Sequence, residues 1–339
     1  MKTRRYLSSS LALAFLGGGL ILATSHRAAE VEREPSPEPH ADEDTPPAEK
    51  RPAPESDHEK DHGTEARPTE VIKPVAPKLG QPVNDRGATR YFQIEGEKLV
   101  KAGRTLTNWM SQFGRKSCRL KLPNASGEKQ STAEIAARAE QAVAIVGTFY
   151  NCGKCSKRHM SSATGFFLTA SGALATCRHA LANYATNGVG VVAFTRDGKV
   201  WPVKEVLAAD AANDLLILQV AGKDFTALPL CPEAPIGSPV FVMGHPSSHY
   251  YMLTTGVIAR HWTHAHGKLP PTKMFSITAD FAKGSSGAPV LGETGGVLGV
   301  AAMTESVYYS VESGQQKNLQ LVVKNCRPSE ALLQMIKSP

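Results

Sequence analysis

From Ala142 onward, short runs of β-prone residues alternate with turn residues, and this texture fills most of the chain. Candidate strands are Ala142–Phe149, Gly165–Thr169, Ala173–Thr176, Val189–Thr195, Lys199–Val206, Leu215–Val220, Val240–Met243, Tyr251–Ile258, Met274–Thr278, Ala288–Leu291, Val297–Met303 and Leu319–Val323. They are rich in Val, Ile, Leu, Phe and Thr, and Gly, Pro, Asn, Asp and Ser bound them. Their spacing leaves no room for the crossover helices that parallel strands need, so the pattern predicts an antiparallel, all-β architecture of barrels. Upstream the periodicity is helical. Ile94, Leu99, Val100, Leu106, Trp109, Met110 and Phe113 recur at three- and four-residue spacing, predicting one helix, or two broken near Gly103, in an extension over 84–130. Ser131-Thr132-Ala133-Glu134 has the form of a capping box and opens a short helix over Glu134–Gln141. At the end of the chain Ala331, Leu332, Leu333, Met335 and Ile336 give Pro328–Ile336 an apolar helical surface, with Ser329 placed to cap it.

The N-terminus reads as an address. Lys2, Arg4 and Arg5 precede an uncharged, mostly apolar run centred on Leu11–Ala23, and Ala23-Thr24-Ser25 has the small residues of a cleavage site. Residues 1–25 are therefore expected to be a signal peptide, or a signal anchor if Tyr6–Ser25 stays attached. Either outcome places the body outside the cytoplasm, in a bacterial periplasm or the extracellular space. Residues 26–83 read as a disordered linker, dense in proline and charge and poor in apolar residues. Acids outnumber bases in that linker although the whole chain carries net charge +7, so the basic excess lies on the body. It is scattered, with no Lys/Arg run and no basic stretch interleaved with aromatics, which argues against a nucleic-acid partner. Membrane contact is expected only through the N-terminal segment.

Three segments of the β region carry chemistry. Thr164–Leu181 delivers His179 at a strand end after a Gly turn. Asp214 stands at the lip of the apolar strand Leu215–Val220, with Asp210 as the other candidate acid. Gly284-Ser285-Ser286-Gly287-Ala288-Pro289 is a glycine-flanked serine loop. A serine hydroxyl is a poor nucleophile until a base takes its proton, and a histidine base needs a carboxylate to fix its tautomer. The glycines let backbone N–H groups turn toward a developing oxyanion. The order His, Asp, Ser differs from those of subtilisin and the α/β-hydrolases, and the nucleophile-elbow pattern G-x-S-x-G is absent.

With these motifs the chain resembles the trypsin-like serine peptidases of the chymotrypsin fold, and within them the bacterial Deg/HtrA-type branch without a PDZ domain. Thr164–Phe167, Thr176–His179, Asp214–Leu218, Thr254–Ile258 and Gly284–Pro289 carry the resemblance. It implies two six-stranded antiparallel β-barrels with a C-terminal helix, forming a peptidase domain over 131–339. It makes His179 the base, Asp214 the orienting acid, Ser286 the nucleophile, and the N–H groups of Gly284 and Ser286 the oxyanion hole. The implied activity is endopeptidase cleavage of protein or peptide substrates; a catalytically silent binding protein on the same fold is the alternative. Ser285 stands where trypsin-type zymogens place an aspartate, so no pairing with a newly cut N-terminal ammonium is expected. Asp280, six residues before the nucleophile, would sit at the base of the primary specificity pocket and favour Lys or Arg, whereas Met303 on the pocket strand would make an apolar slot.

Six cysteines, Cys118, Cys152, Cys155, Cys177, Cys231 and Cys326, suit disulfides in an exported chain. The fold implied by the resemblance brings the C-terminal helix toward the inter-barrel connection and suggests a Cys231–Cys326 bridge; Cys152 and Cys155 are the other candidates. Cys152-Gly153-Lys154-Cys155 with His159 also has zinc-site character, but three ligands lack an evident fourth unless Cys118 or Cys177 supplies it. His245, His249, His261, His264 and His266 fit no compact ligand spacing. No metal and no other cofactor are expected.

Overall fold

A computed structural model describes residues 72–339, apart from Glu233, residues 267–268 and residues 313–314. The expected signal segment and most of the linker lie outside the described residues. The last residues of that linker, 72–83, have partners on the body. The Val75 N–H donates to the Gly87 carbonyl at 3.0 Å. The buried Arg196 guanidinium holds the carbonyls of Lys78 and Gln81 at 2.6 and 2.5 Å.

Helix α1 spans Asp85–Lys101 and starts well before Ile94, because the Asn84 side chain accepts the Gly87 N–H at 2.9 Å and caps it. Its apolar stripe, Ala88, Phe92 and Val100, packs on Phe149, Phe194 and Tyr250. A left-handed Gly103 ends the helical stretch, as the sequence predicts, and a single 3-10 turn follows at Trp109–Gln112. Strand β1 is Cys118–Arg119. Helix α2, Thr132–Ala142, has the expected capping box, with both Ser131 and Glu134 side chains bonded to the other residue's backbone.

The first barrel closes in the order β2-β3-β4-β7-β6-β5. These strands are β2 Val143–Asn151, β3 Arg158–Phe167, β4 Ala173–Cys177, β5 Gly188–Thr195, β6 Val200–Asp210 and β7 Leu215–Val220. A short helix α3, His179–Ala182, follows β4. The second barrel comprises β8 Pro239–Gly244, β9 Met252–His266, β10 Leu269–Ile277, β11 Pro289–Leu291, β12 Val297–Glu312 and β13 Gln315–Pro328. It closes in the order β10-β13-β12-β11-β8-β9. Helix α4, Ser329–Met335, leads to β14, Ile336–Lys337, which pairs in parallel with β1. The expected pair of six-stranded barrels is thus the observed fold.

Strand alternation assigns each core. Phe167, Leu174, Val191, Leu216 and Leu218 fill the first barrel, and Val240, Val242, Phe275, Val290 and Ala301 fill the second. Phe166, Ala175, Leu215, Met243, Val300 and Leu332 face the other way and weld the barrels together. The hairpins β9–β10 and β12–β13 run further than the sequence predicts. Their outer arms carry Thr263, Lys273, Glu305, Ser306 and Lys317, which pair by backbone but bury little.

The disulfide expectation is overturned: all six cysteines are free thiols. Cys326 does not open the C-terminal helix. It lies on β13, opposite Phe275 and Ala301, buried in the second core. The residue that meets the inter-barrel connection is Ser329, whose hydroxyl donates to the Cys231 carbonyl instead of capping α4. The Cys231 sulfur faces the Thr294 hydroxyl at 4.0 Å. Cys152 and Cys155 stand with their sulfurs 3.5 Å apart, well beyond a covalent S–S bond.

The extension is part of the packing. The Leu106 N–H donates to the Val203 carbonyl and the Ala209 N–H to the Arg115 carbonyl, both at 2.7 Å. Trp109 is buried, and its Nε1–H donates to the Leu181 carbonyl of α3 at 3.1 Å. Trp109→Ala is expected to cost about 3–5 kcal/mol of stability, read as a lower urea midpoint, because it opens a cavity and removes one of the Leu181 carbonyl's hydrogen bonds. A midpoint unchanged within error would mean that the extension is only draped on the barrel.

Candidate active site

The cleft between the barrels is built from three strand ends. β4 stops at Cys177, whose buried thiol donates to the Ala301 carbonyl on β12 at 3.4 Å and so ties one barrel to the other. Burial pushes that thiol well above its ordinary range. The next residues turn into α3 and place His179 over the β6–β7 turn. There the Asp210 carboxylate accepts the N–H groups of Ala212 and Asn213 at 2.9 and 3.1 Å and shapes the turn. Asp214 leaves the turn with φ 54°. One of its oxygens accepts the His179 backbone N–H at 2.9 Å; the other lies 2.6 Å from His179 Nδ1. Asp214, not Asp210, is therefore the acid that meets the histidine.

The serine loop is gripped from the first barrel. The Thr164 N–H donates to the Ser286 carbonyl at 3.0 Å, and the Thr164 hydroxyl to the Gly284 carbonyl at 2.8 Å. Gly284 and Gly287 have φ of 99° and 91°, and a Cβ on either would run into the carbonyl oxygen of His245 or Thr164. Ser285 is buried with an unpartnered hydroxyl, whereas Ser286 is partly exposed. Ser286 and His179 line one small cavity of about 110 Å³ together with Ser161, Ser162, Tyr184 and Lys283. No hydrogen bond between Ser286 and His179 occurs among the described residues, a looseness common in unliganded hydrolases. The N–H groups of Gly284 and Ser286 donate to no acceptor among the described hydrogen bonds, while those of Ser285 and Gly287 are used by Ala282 and Ala301.

Other expected residues take other places. Asp280 is not at the base of an enclosed pocket. Its side chain is 83 % exposed, and it lies 3.2 Å from the Lys324 ammonium, which neutralises the charge that would have attracted a basic substrate. Its carbonyl is held by the Thr254 hydroxyl, so the loop carries the carboxylate outward. Met303 is part-exposed on β12, and neither residue lines the cavity of Ser286 and His179. Of the histidines, His249 and His261 each bond a backbone carbonyl, and none of His245, His249, His261 and His264 joins a potential ligand group among the described residues.

His245 is buried beneath the serine loop, its Nδ1 accepting the Tyr251 N–H at 3.1 Å. Burial pushes its pKa down to about 3. The neutral ring is thus the folded form, and its stabilising effect is complete above the unfolded pKa of about 6.5. As the pH falls from there toward 3, stability drains at about 1.4 kcal/mol per pH unit. Urea midpoints are expected to fall more between pH 7 and 5 for the wild type than for His245→Gln; equal losses would remove His245 from the account.

Several contributors carry no motif. Phe113 of the extension lies under the Arg178 guanidinium, 4.6 Å from ring centroid to carbon, and so braces the residue before His179. Only the apolar spacing around Trp109 hinted at this. At the far end of β3, the Lys154 N–H and the Cys155 thiol lower the Cys152 thiol to about 7.

Residues 163–300 match a family model described as a trypsin-like peptidase domain. The fold is the double barrel also found in the HtrA-type proteases. Among solved structures it is similar to a substituted form of the HtrA-type protease AlgW with a decapeptide. That match has 21% identity, a TM-score of 0.50, and covers 60% of this chain and 65% of the other. AlgW with a tripeptide matches at 20% identity and TM-score 0.47, over 60% and 62% of the two chains. The uncharacterized protein y4bJ of Sinorhizobium fredii is 29% identical over 140 residues, 41% of this chain. The chain spans 21% of that relative's length.

Proposed function

We propose that this domain is an exported serine endopeptidase acting through His179, Asp214 and Ser286. The observation that carries the reading is the 2.6 Å contact between His179 Nδ1 and Asp214, with Ser286 on the same cavity. With Nδ1–H donated to Asp214, the lone pair of His179 Nε2 is left for the Ser286 proton. Ser286 Oγ then attacks the scissile carbonyl, and the Gly284 and Ser286 N–H groups bind the oxyanion. His179 passes the proton to the leaving amine, and water, activated by the same histidine, hydrolyses the acyl-enzyme. Asp214 stays ionised and stabilises the imidazolium. Extended peptides are the substrate class this cleft suits, in keeping with the peptides on the similar protease. Residues 1–25 act as the export address; among the described residues no helix is long and apolar enough to cross a membrane. The buried, uncharged Ser285 gives a cut N-terminus nothing to pair with, so activation by such a cut is not required.

A fluorophosphonate probe tests the chemistry directly. One probe per chain is expected, attached at Ser286 and blocked by prior denaturation. A folded chain that stays unlabelled, or is labelled elsewhere, would leave a binding protein on a peptidase fold.

A further inference from the structure

The turn between β2 and β3 carries Cys152-Gly153-Lys154-Cys155, and His159 follows on β3. The two sulfurs are 3.5 Å apart, and Cys155 Sγ is 3.2 Å from His159 Nε2. All three ligand atoms lie within 4.8 Å of one another. A tetrahedral Zn²⁺ with bonds of about 2.3 Å to sulfur and about 2.0–2.1 Å to nitrogen sets its ligands roughly 3.5–3.8 Å apart. Both measured edges, 3.5 and 3.2 Å, are within a few tenths of an ångström of those values, and the third lies under 4.8 Å. The turn is shaped for it. Gly153 has φ 73° and open space around it, and the Lys154 N–H points back at Cys152 Sγ at 3.4 Å. On the other side Tyr150 packs on the His159 ring, centroids 5.6 Å apart, and on Tyr184 at 4.6 Å. The imidazole is therefore held by its neighbours.

We propose that Cys152, Cys155 and His159 bind one Zn²⁺, with the fourth position open to the groove that Glu97, Lys101 and Arg158 line. Among the described residues no fourth side chain joins the cluster, which weighed against zinc in the sequence but is what a site with an open position requires. Two thiolates and a neutral imidazole make the loaded site electrically neutral, so the surrounding Lys101, Lys154 and Arg158 do not oppose it. Binding releases the two thiol protons and involves no redox change. Sulfur ligands select zinc over Mg²⁺ or Ca²⁺, which take oxygen. The groove side also suits a water or small anion as the fourth ligand: Glu97 is already engaged by Lys101 at 3.0 Å and Arg158 at 3.5 Å. β3 runs on from His159 to Ser161 and Ser162 of the cleft and to Thr164 under the serine loop. Zinc thus clips the outer end of a strand whose inner end shapes the candidate active site.

The test uses the full chain, reduced and metal-free, titrated with Co²⁺ as a spectroscopic stand-in and then with Zn²⁺. One equivalent of Co²⁺ is expected to give a thiolate charge-transfer band and tetrahedral visible bands, both lost when Zn²⁺ displaces it. Cys152→Ser, Cys155→Ser and His159→Gln should each weaken binding by at least ~100-fold while far-ultraviolet dichroism stays unchanged, since the residues lie on a surface turn. Cobalt held by the histidines of the N-terminal segment would show no sulfur band. No sulfur band at one equivalent, a band that survives in Cys152→Ser/Cys155→Ser, or a Cys152–Cys155 disulfide that forms equally fast with and without zinc would overturn the proposal. The site is independent of the peptidase reading: Ser286→Ala should keep it, and a chain inert to fluorophosphonate should too.

Discussion

Ser286→Ala is expected to abolish peptide hydrolysis down to a residue about 10⁵- to 10⁶-fold below wild type in kcat/KM. Without the hydroxyl, no acyl-enzyme forms, and His179 and Asp214 have nothing to activate. What survives is the contribution of the oxyanion N–H groups and of substrate positioning, so KM should change far less than kcat. Ser285→Ala removes only a buried hydroxyl that has no partner and should keep most of the activity. Matched assays on an extended peptide, with fluorophosphonate labelling as the second readout, distinguish the two serines. Full activity in Ser286→Ala with loss in Ser285→Ala would reverse the assignment.

Asp214→Asn should cost about 10⁴-fold in kcat with little change in fold. The Asn oxygen still accepts the His179 backbone N–H, which preserves the 2.9 Å contact. Its amide, however, donates where the carboxylate accepted. His179 then carries its proton on Nε2 and cannot take one from Ser286. The imidazolium also loses its counter-charge. A rate within tenfold of wild type, with an intact urea midpoint, would show that the 2.6 Å contact is structural only. Asp210→Asn changes the turn rather than the base, and its loss should appear in stability before rate, because Asp210 holds the N–H groups of Ala212 and Asn213.

The candidate catalytic residues stand out in the chain because nucleophilic catalysis constrains residue type and local backbone together. Gly284 and Gly287 must take positive φ, His179 must follow closely on a strand end, and an acid must stand just before the strand beside it. Such needs leave short, readable motifs. The choice between Asp210 and Asp214 was less legible, since both border the same turn and only its hydrogen bonds separate turn-former from base-orienter. The pocket prediction failed at Asp280 because counting residues to the nucleophile says nothing about which way a loop turns. Thr254, distant in sequence, holds the Asp280 carbonyl, which leaves that carboxylate exposed beside Lys324. The Cys231–Cys326 bridge failed for a related reason: the C-terminal segment does return to Cys231, but it arrives with Ser329, while Cys326 is committed to the β13 ladder.

The sequence by itself determined the local choices: antiparallel strands of period two, the capped α2, the break at Gly103, and the residue types of the candidate catalytic group. Each depends on a few neighbouring residues whose physical preferences agree. Only the tertiary structure decided which surfaces meet. It set the bracing of α3 by Trp109 and of Arg178 by Phe113, the neutral His245 beneath the serine loop, and the outward turn of Asp280. Those depend on barrel closure, which joins residues far apart in sequence through burial and strand register. No local pattern encodes the distance between two atoms that meet only when the sheet closes.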